Sequence, residues 1–235
     1  MPDLFPPAAA ARALAPAGPR ADGRTRRRQV LGALGALLAG RQVLAAPGLT
    51  PHQMQGPFYP PSLPLDRDND LVQVSGRRGL AHGVVTELAG LVLDQRGQPV
   101  RGARVEIWQV NGFGRYHHPE DDSPAPFDPF FQGFGRTLTD ERGAYRFRTI
   151  RPVAYPGRAP HVHFAVTPAG GQVFHTQMYV AGEPGNGTDF LLNAIPDPRQ
   201  REALIVPLHP STMGNSALAG RFDIVLGPGN IHGGN

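Results

Sequence analysis

The 235-residue chain is 40% hydrophobic, with 30 glycines, 26 prolines and no cysteine, so it holds enough apolar residues for one domain and excludes disulfides and thiolate metal sites. Its formal charge of +4 is concentrated at one end: residues 1–45 carry seven arginines against Asp3 and Asp22, leaving 16 basic and 17 acidic residues in the rest. The body has no basic run to neutralise phosphates, which argues against nucleic acid as a partner. Any metal must be held by histidine, carboxylate or phenolate.

In chain order, Thr25-Arg26-Arg27-Arg28-Gln29-Val30-Leu31 runs into the apolar stretch 31–38, and Val43-Leu44-Ala45 follows with small residues. A charged region, a short apolar run and a small-residue site predict an export signal over 1–45, and the adjacent arginines predict the twin-arginine route to the periplasm or the exterior. Broken by Gly32 and Gly35 and ended by Gly40-Arg41, the run is too short for a stable membrane span.

Residues 46–85 are expected to form an extended N-terminal segment. Gly56-Pro57-Phe58-Tyr59-Pro60-Pro61 is extended because residues before proline favour β or polyproline geometry. Asp66-Arg67-Asp68-Asn69-Asp70 has the acidic density of a calcium loop but lacks its glycine and distal glutamate, and so reads as a solvated loop.

From residue 86 to 235 the pattern is strand and turn. Apolar Leu88–Leu93 is followed by the turn Asp94-Gln-Arg-Gly97, then by the alternating stretch Val100–Val110. A long loop at 111–135 follows, then strands at Arg136–Thr139 and Ala144–Ile150, an apolar strand beginning at His161, and a return over Gln172–Val180. Short helices are expected at Asp189–Ile195 and near 197–203, and late strands at Ala203–Pro207 and Gly220–Leu226. This predicts an all-β domain, an antiparallel β-sandwich or barrel-like core with long loops and few short helices.

Two features carry chemistry. His161 and His163 are two apart on a strand, so both imidazoles project from one face toward one place, which is half of a metal site. The 111–135 loop holds Tyr116 together with Phe127, Phe130, Phe131 and Phe134, aromatics that a disordered loop lacks. Taken singly, the H-x-H pair, Tyr116 and Tyr155 each read as ordinary packing or polar-face residues; it is their company that points to a site.

Glu106-Ile-Trp-Gln-Val-Asn111, Gly114-Arg115-Tyr116, Gly133-Phe134-Gly135-Arg136, Gly143-Ala-Tyr145-Arg-Phe147, Tyr155-Pro-Gly-Arg158-Ala-Pro-His161-Val-His163 and Thr176-Gln177-Met178-Tyr179 together resemble the intradiol ring-cleavage dioxygenases. The likeness extends over about residues 50–207 and is nearer to the protocatechuate 3,4-dioxygenase β subunit than to the catechol 1,2-dioxygenases, whose N-terminal helical linker domain has no room in 46–85. The resemblance implies one non-haem Fe(III) per chain, held by Tyr116, Tyr155, His161 and His163. Anionic phenolates suit that hard ion, whereas a 2-His-1-carboxylate triad would suit Fe(II).

It also implies catalytic roles for Tyr155 as the proton-accepting axial ligand, for Arg158 against developing negative charge, and for Gln177 behind the ligands. The implied partners are a small aromatic diol and O2, with a muconate-type diacid as product; a homo-oligomer is left open. Five residues separate Tyr155 from His161, fewer than in well-known members, and Gly157 stands where protocatechuate enzymes carry a tryptophan. Two other readings remain. The hairpin Gly90–Val105 is also the signature of non-catalytic transthyretin-like binding modules, and a zinc hydrolase could use His161, His163 and His175 or His209.

Overall fold

In a computed structural model of the chain, residues 48–212 and 214–231 are described; the predicted export signal lies outside them. Ten strands, β1 (Val85–Asp94), β2 (Arg104–Trp108), β3 (Phe134–Leu138), β4 (Ala144–Ile150), β5 (His161–Thr167), β6 (Phe174–Val180), β7 (Ile205–Val206), β8 (His209–Pro210), β9 (Leu218–Arg221) and β10 (Ile224–Leu226), form two sheets. Among the described residues three short α-helices, α1 (Phe190–Asn193), α2 (Pro198–Ala203) and α3 (Pro228–Ile231), sit between or after strands. None of the described helices is long and apolar enough to cross a membrane.

The all-β expectation holds, with two refinements. β1 pairs antiparallel with β4 but parallel with β9 and β10, and β7 pairs parallel with β6, so both sheets are mixed. The described strands form two open sheets, not a closed barrel. The parallel pairings join segments far apart in sequence, which no hairpin turn signals.

Between the sheets lies a core in which Leu88, Val92, Phe147, Ile224 and Leu226 of one meet Val105, Ile107, Val162, Phe164, Val166 and Met178 of the other. Fully burying each large apolar side chain contributes about 1.5–3 kcal/mol before entropy is counted. β1 runs beside the β9–β10 connection at Gly90, where a Cβ would collide with the Phe222 carbonyl; only glycine permits that approach.

In the second sheet, in order β3-β2-β5-β6-β7, the central strand β5 is buried on both faces. Alternation sends Val162, Phe164 and Val166 of β5 into the core and leaves His161, His163 and Ala165 on the outer face. That face is covered from outside the sheet. Residues Thr50 and Gln53 hydrogen-bond to Val225 and His175. Phe58 and Tyr59 then pack with Trp108, Val110, Tyr116, Phe134 and Ala165 in a second apolar cluster. The acidic run 66–70 is not merely solvated: Asp70 pairs with Arg148 at 2.9 Å, and the following Leu71 and Val72 are fully buried.

A candidate mononuclear metal centre

The register across the second sheet places one row of side chains on its outer face. Phe134 lies opposite Trp108, Trp108 opposite His163, and His163 opposite Gln177, while His161 lies opposite Tyr179. The indole of Trp108 stacks on the His163 ring at 4.9 Å and 9°, which fixes the imidazole plane. From below, Gly56 at φ +78° approaches so closely that a Cβ would sit 3.2 Å from His163 Cε1. The segment 56–61, expected to be extended, instead turns at Pro57-Phe58 with Gly56 in the left-handed region, because glycine admits a positive φ, and it serves as the floor under one histidine.

Tyr116 reaches this face from the 111–135 loop. Its amide donates to Asp121 Oδ2 at 2.6 Å and its ring stacks on Phe58 at 4.6 Å, so a loop with little regular structure still holds the phenol rigidly. Tyr116 Oη lies 3.1 Å from His163 Nε2, 3.4 Å from His161 Nε2 and 3.5 Å from Tyr155 Oη, and the two Nε2 atoms are 3.2 Å apart. Two phenol oxygens and two imidazole nitrogens therefore converge on one point. His161 Nδ1 is 2.7 Å from the Ala159 carbonyl, which can only accept, so Nδ1 carries the proton and Nε2 presents a lone pair.

Electrostatics makes the convergence costly without a cation. Burial, and then the adjacent Tyr155, push the Tyr116 phenol well above its ordinary value. Burial, and then the charge of Arg158, pull His161 down to about 3. Burial, followed by His161, pulls His163 well below the imidazole range. Histidines held neutral and a phenol held protonated are what an ion of high positive charge would reverse, since it converts lone pairs into bonds and phenol into phenolate. Among the described residues no three His, Asp or Glu come together to hold a metal ion, so a metal here needs the phenol oxygens. The three-histidine zinc reading fails on this point: His209 is exposed on β8, and His175 packs beside His52.

The same shifts fix a pH dependence for the metal-free protein. An unfolded histidine titrates near 6.5, whereas folded His161 resists protonation down to about 3. The unfolded chain therefore binds protons that the folded chain refuses. Stability is fully present above about pH 6.5 and declines as pH falls toward 3, by as much as about 5 kcal/mol from His161 alone. Urea midpoints of metal-free protein from pH 8 to pH 4 check this; an unchanged midpoint below pH 6 would show that the imidazoles are not held neutral.

Arg158 and Tyr155 face each other at the edge of the site across an isolated bridge. Tyr155 is half-buried, and its hydroxyl lies 3.5 Å from Arg158 Nη1. Arg158 Nη2 donates to Gln177 Oε1 at 2.6 Å and to Tyr179 Oη at 3.2 Å, and Nε donates to Asp189 Oδ2 at 2.9 Å. All six residues predicted for the site are thus brought together. Tyr179, Asp189 and Trp108 were not singled out as site residues by sequence. A cavity of about 320 Å³ borders Tyr116 and Tyr155 and is lined by Phe58, Pro124, Asp122 and Pro156; a larger cleft of about 540 Å³ opens elsewhere, between Leu65 and Phe127.

A family model described as "Dioxygenase" matches residues 54–228. The protocatechuate 3,4-dioxygenase beta chain of Burkholderia cepacia is 40% identical over 171 residues, 68% of this chain and 71% of that protein. A catechol 1,2-dioxygenase of Acinetobacter baylyi is 31% identical over 163 residues, 60% of this chain and 49% of its own, so the chain spans about half of that relative. Among solved structures, the dioxygenase domain of a dioxygenase carbohydrate-binding protein fusion from Streptomyces sp. SirexAA-E superposes with a TM-score of 0.60 at 31% identity, covering 77% of this chain and 99% of that one. The catechol 1,2-dioxygenase from Acinetobacter sp. ADP1 gives a TM-score of 0.57 at 28% identity, over 76% and 62% of the two chains. These matches favour an enzyme over the transthyretin-like binding module.

Proposed function

The chain belongs to the intradiol ring-cleavage dioxygenase family, and from that premise we propose that it holds one non-haem ferric iron on Tyr116, Tyr155, His161 and His163 and opens a catechol-type ring. The observation that carries this is the convergence of Tyr116 Oη, Tyr155 Oη, His161 Nε2 and His163 Nε2, each within 3.5 Å of another donor. Two phenolates and two neutral imidazoles suit a hard trivalent ion. The substrate class shared by the named relatives is an aromatic 1,2-diol. Both atoms of O2 enter the product, so a catechol becomes a muconate-type diacid with no added reductant.

Bound iron would supply Lewis acidity and the covalency that makes a chelated catecholate reactive toward O2. The protein's own residues do the rest. Tyr155 Oη, at the half-buried edge of the site, takes a proton from an incoming catechol hydroxyl, while buried Tyr116 stays in place. Arg158 Nη1, directed toward Tyr155 Oη, stabilises negative charge that develops on substrate oxygen. Gln177 holds Arg158 through its amide oxygen. Phe58, stacked on Tyr116, and Trp108, stacked on His163, shield those donors from water. The arginine-rich leader supports a further element of the reading, export to the periplasm or exterior.

The test is a visible spectrum of the protein purified without residues 1–45, repeated with catechol in the absence of air. The expected result is a wine-red tyrosinate-to-iron band that shifts on catechol addition, followed by uptake of one O2 per diacid formed once air is admitted. A protein that stays colourless after ferric reconstitution would return the reading to a binding module.

A further inference from the structure

Asp189 is only 1% exposed, yet its carboxylate serves helix α1 and the Arg158-Ala159 segment at once. Oδ1 accepts from the amides of Leu191 and Leu192 at 3.1 and 3.0 Å, capping α1. Oδ2 accepts from Arg158 Nε and from the Ala159 amide, both at 2.9 Å. The next group along that backbone, the Ala159 carbonyl, holds His161 Nδ1. Cap bonds alone would need only one oxygen and no charge. A wholly buried carboxylate whose second oxygen points to an arginine beside the donor set has a second purpose.

The guanidinium has its remaining freedom removed by neighbouring groups. Nη2 is held by Gln177 Oε1 and Tyr179 Oη, and Phe190, adjacent to Asp189, lies under the guanidinium with its ring centroid 5.5 Å from Cζ. Tyr179 Oη is itself 3.5 Å from Asp189 Oδ1 and 3.2 Å from Gln177 Oε1, and is reached by Gln53 Nε2 at 3.4 Å. With Nε and Nη2 occupied, Nη1 is the nitrogen left facing Tyr155 Oη at 3.5 Å. An unrestrained arginine would have to order its rotatable bonds each time charge develops on the substrate; a clamped one is ordered beforehand.

We propose that Asp189, assisted by Tyr179, is a positioning residue that clamps the Arg158 guanidinium with Nη1 directed at Tyr155 Oη. The inference rests on the iron-dioxygenase reading for the purpose of the clamp but not for its existence. Asp189→Asn keeps a capping oxygen and removes the charge that holds Nε. It is expected to lower kcat/KM by about 10- to 100-fold, the usual range for groups that orient others, with iron content and the red band retained. Tyr179→Phe keeps its ring and is expected to show a smaller loss of the same kind.

The deciding comparison is the same pair of substitutions in an Arg158→Ala background, where each should cost less than about twofold, because a residue acting through Arg158 has nothing left to act on. Full turnover of Asp189→Asn, or an equal loss in both backgrounds, would overturn the clamp; if Asp189→Asn does not fold, Tyr179→Phe decides on the same criterion. Solvent exchange of the Arg158 Nε proton in iron-free protein, followed by NMR, is expected to be slow in the parent and fast in Asp189→Asn. Fast exchange in the parent would also overturn the clamp. A parent protein without colour or turnover, but with a protected Nε proton, would count against the iron reading and leave the clamp standing.

Discussion

Replacing Tyr116 with phenylalanine is expected to strip the protein of iron and of turnover together. Tyr116 Oη is the atom common to the donor set, within 3.5 Å of both Nε2 atoms and of Tyr155 Oη. Without it a trivalent ion would keep one anionic oxygen and two neutral nitrogens, too little negative charge to offset the loss of its hydration in a buried site. The affinity loss should exceed the roughly 10- to 100-fold typical of groups that merely orient a ligand. The ring itself is retained, so the stack on Phe58 and the bond from its amide to Asp121 survive. Stability of the iron-free form should therefore change by only about 1 kcal/mol, the net worth of one hydrogen bond. Iron per chain, the visible band and the iron-free melting curve check this together. A Tyr116→Phe protein that keeps full iron and an unchanged band would remove Tyr116 from the ligand set.

Periodicity disclosed one part of this site, the histidine pair, and the resemblance supplied the rest of the predicted set. A period of two puts His161 and His163 on one face, and the hairpin turns give most strand boundaries to within a few residues: Ala144–Ile150 is predicted and observed alike. What periodicity could not supply is which elements cover that face. Nothing local in Gly56-Pro57-Phe58-Tyr59 says that it lies beneath His163, or that Trp108 stacks on the same ring across a strand pair. The parallel partners of β1 were hidden for the same reason, since β9 and β10 lie more than a hundred residues away.

Asp189 shows the limit most sharply. Thr188-Asp189-Phe190-Leu191 reads as a helix start, and it is one, with the aspartate capping α1. Its other partner, Arg158, is 31 residues earlier, and a cap signal carries no information about a second use of the same carboxylate. Tyr179 was visible only as one letter of a family pattern. Its register opposite His161 is what places it beside the arginine. Resemblance could point to Tyr116, Tyr155, His161 and His163 as candidate ligands; the residues that hold Arg158 still had to be found in space.

Arg158→Ala is expected to separate colour from turnover. The guanidinium is a cation and donates no lone pair, so its removal takes nothing from the metal, and the band should persist. Turnover should fall by about 100- to 1,000-fold, the cost of deleting one oriented donor to a developing oxyanion. The effect should appear in kcat more than in KM, because negative charge grows on the substrate oxygens only after binding. The same change leaves the fully buried Asp189 carboxylate without its cation, its partner's side chain being 8% exposed in the parent, and breaking a buried pair from one side costs about 3–5 kcal/mol of stability. Rates must therefore be taken well below the lowered melting temperature, on protein with iron counted. Adding Asp189→Asn to Arg158→Ala should restore part of that stability while leaving the rate where it is, since it removes the stranded charge but cannot replace the missing donor. An Arg158→Ala protein that loses its iron would make the arginine a structural support of the ligands, and one that turns over at the parent rate would leave the developing charge to another group.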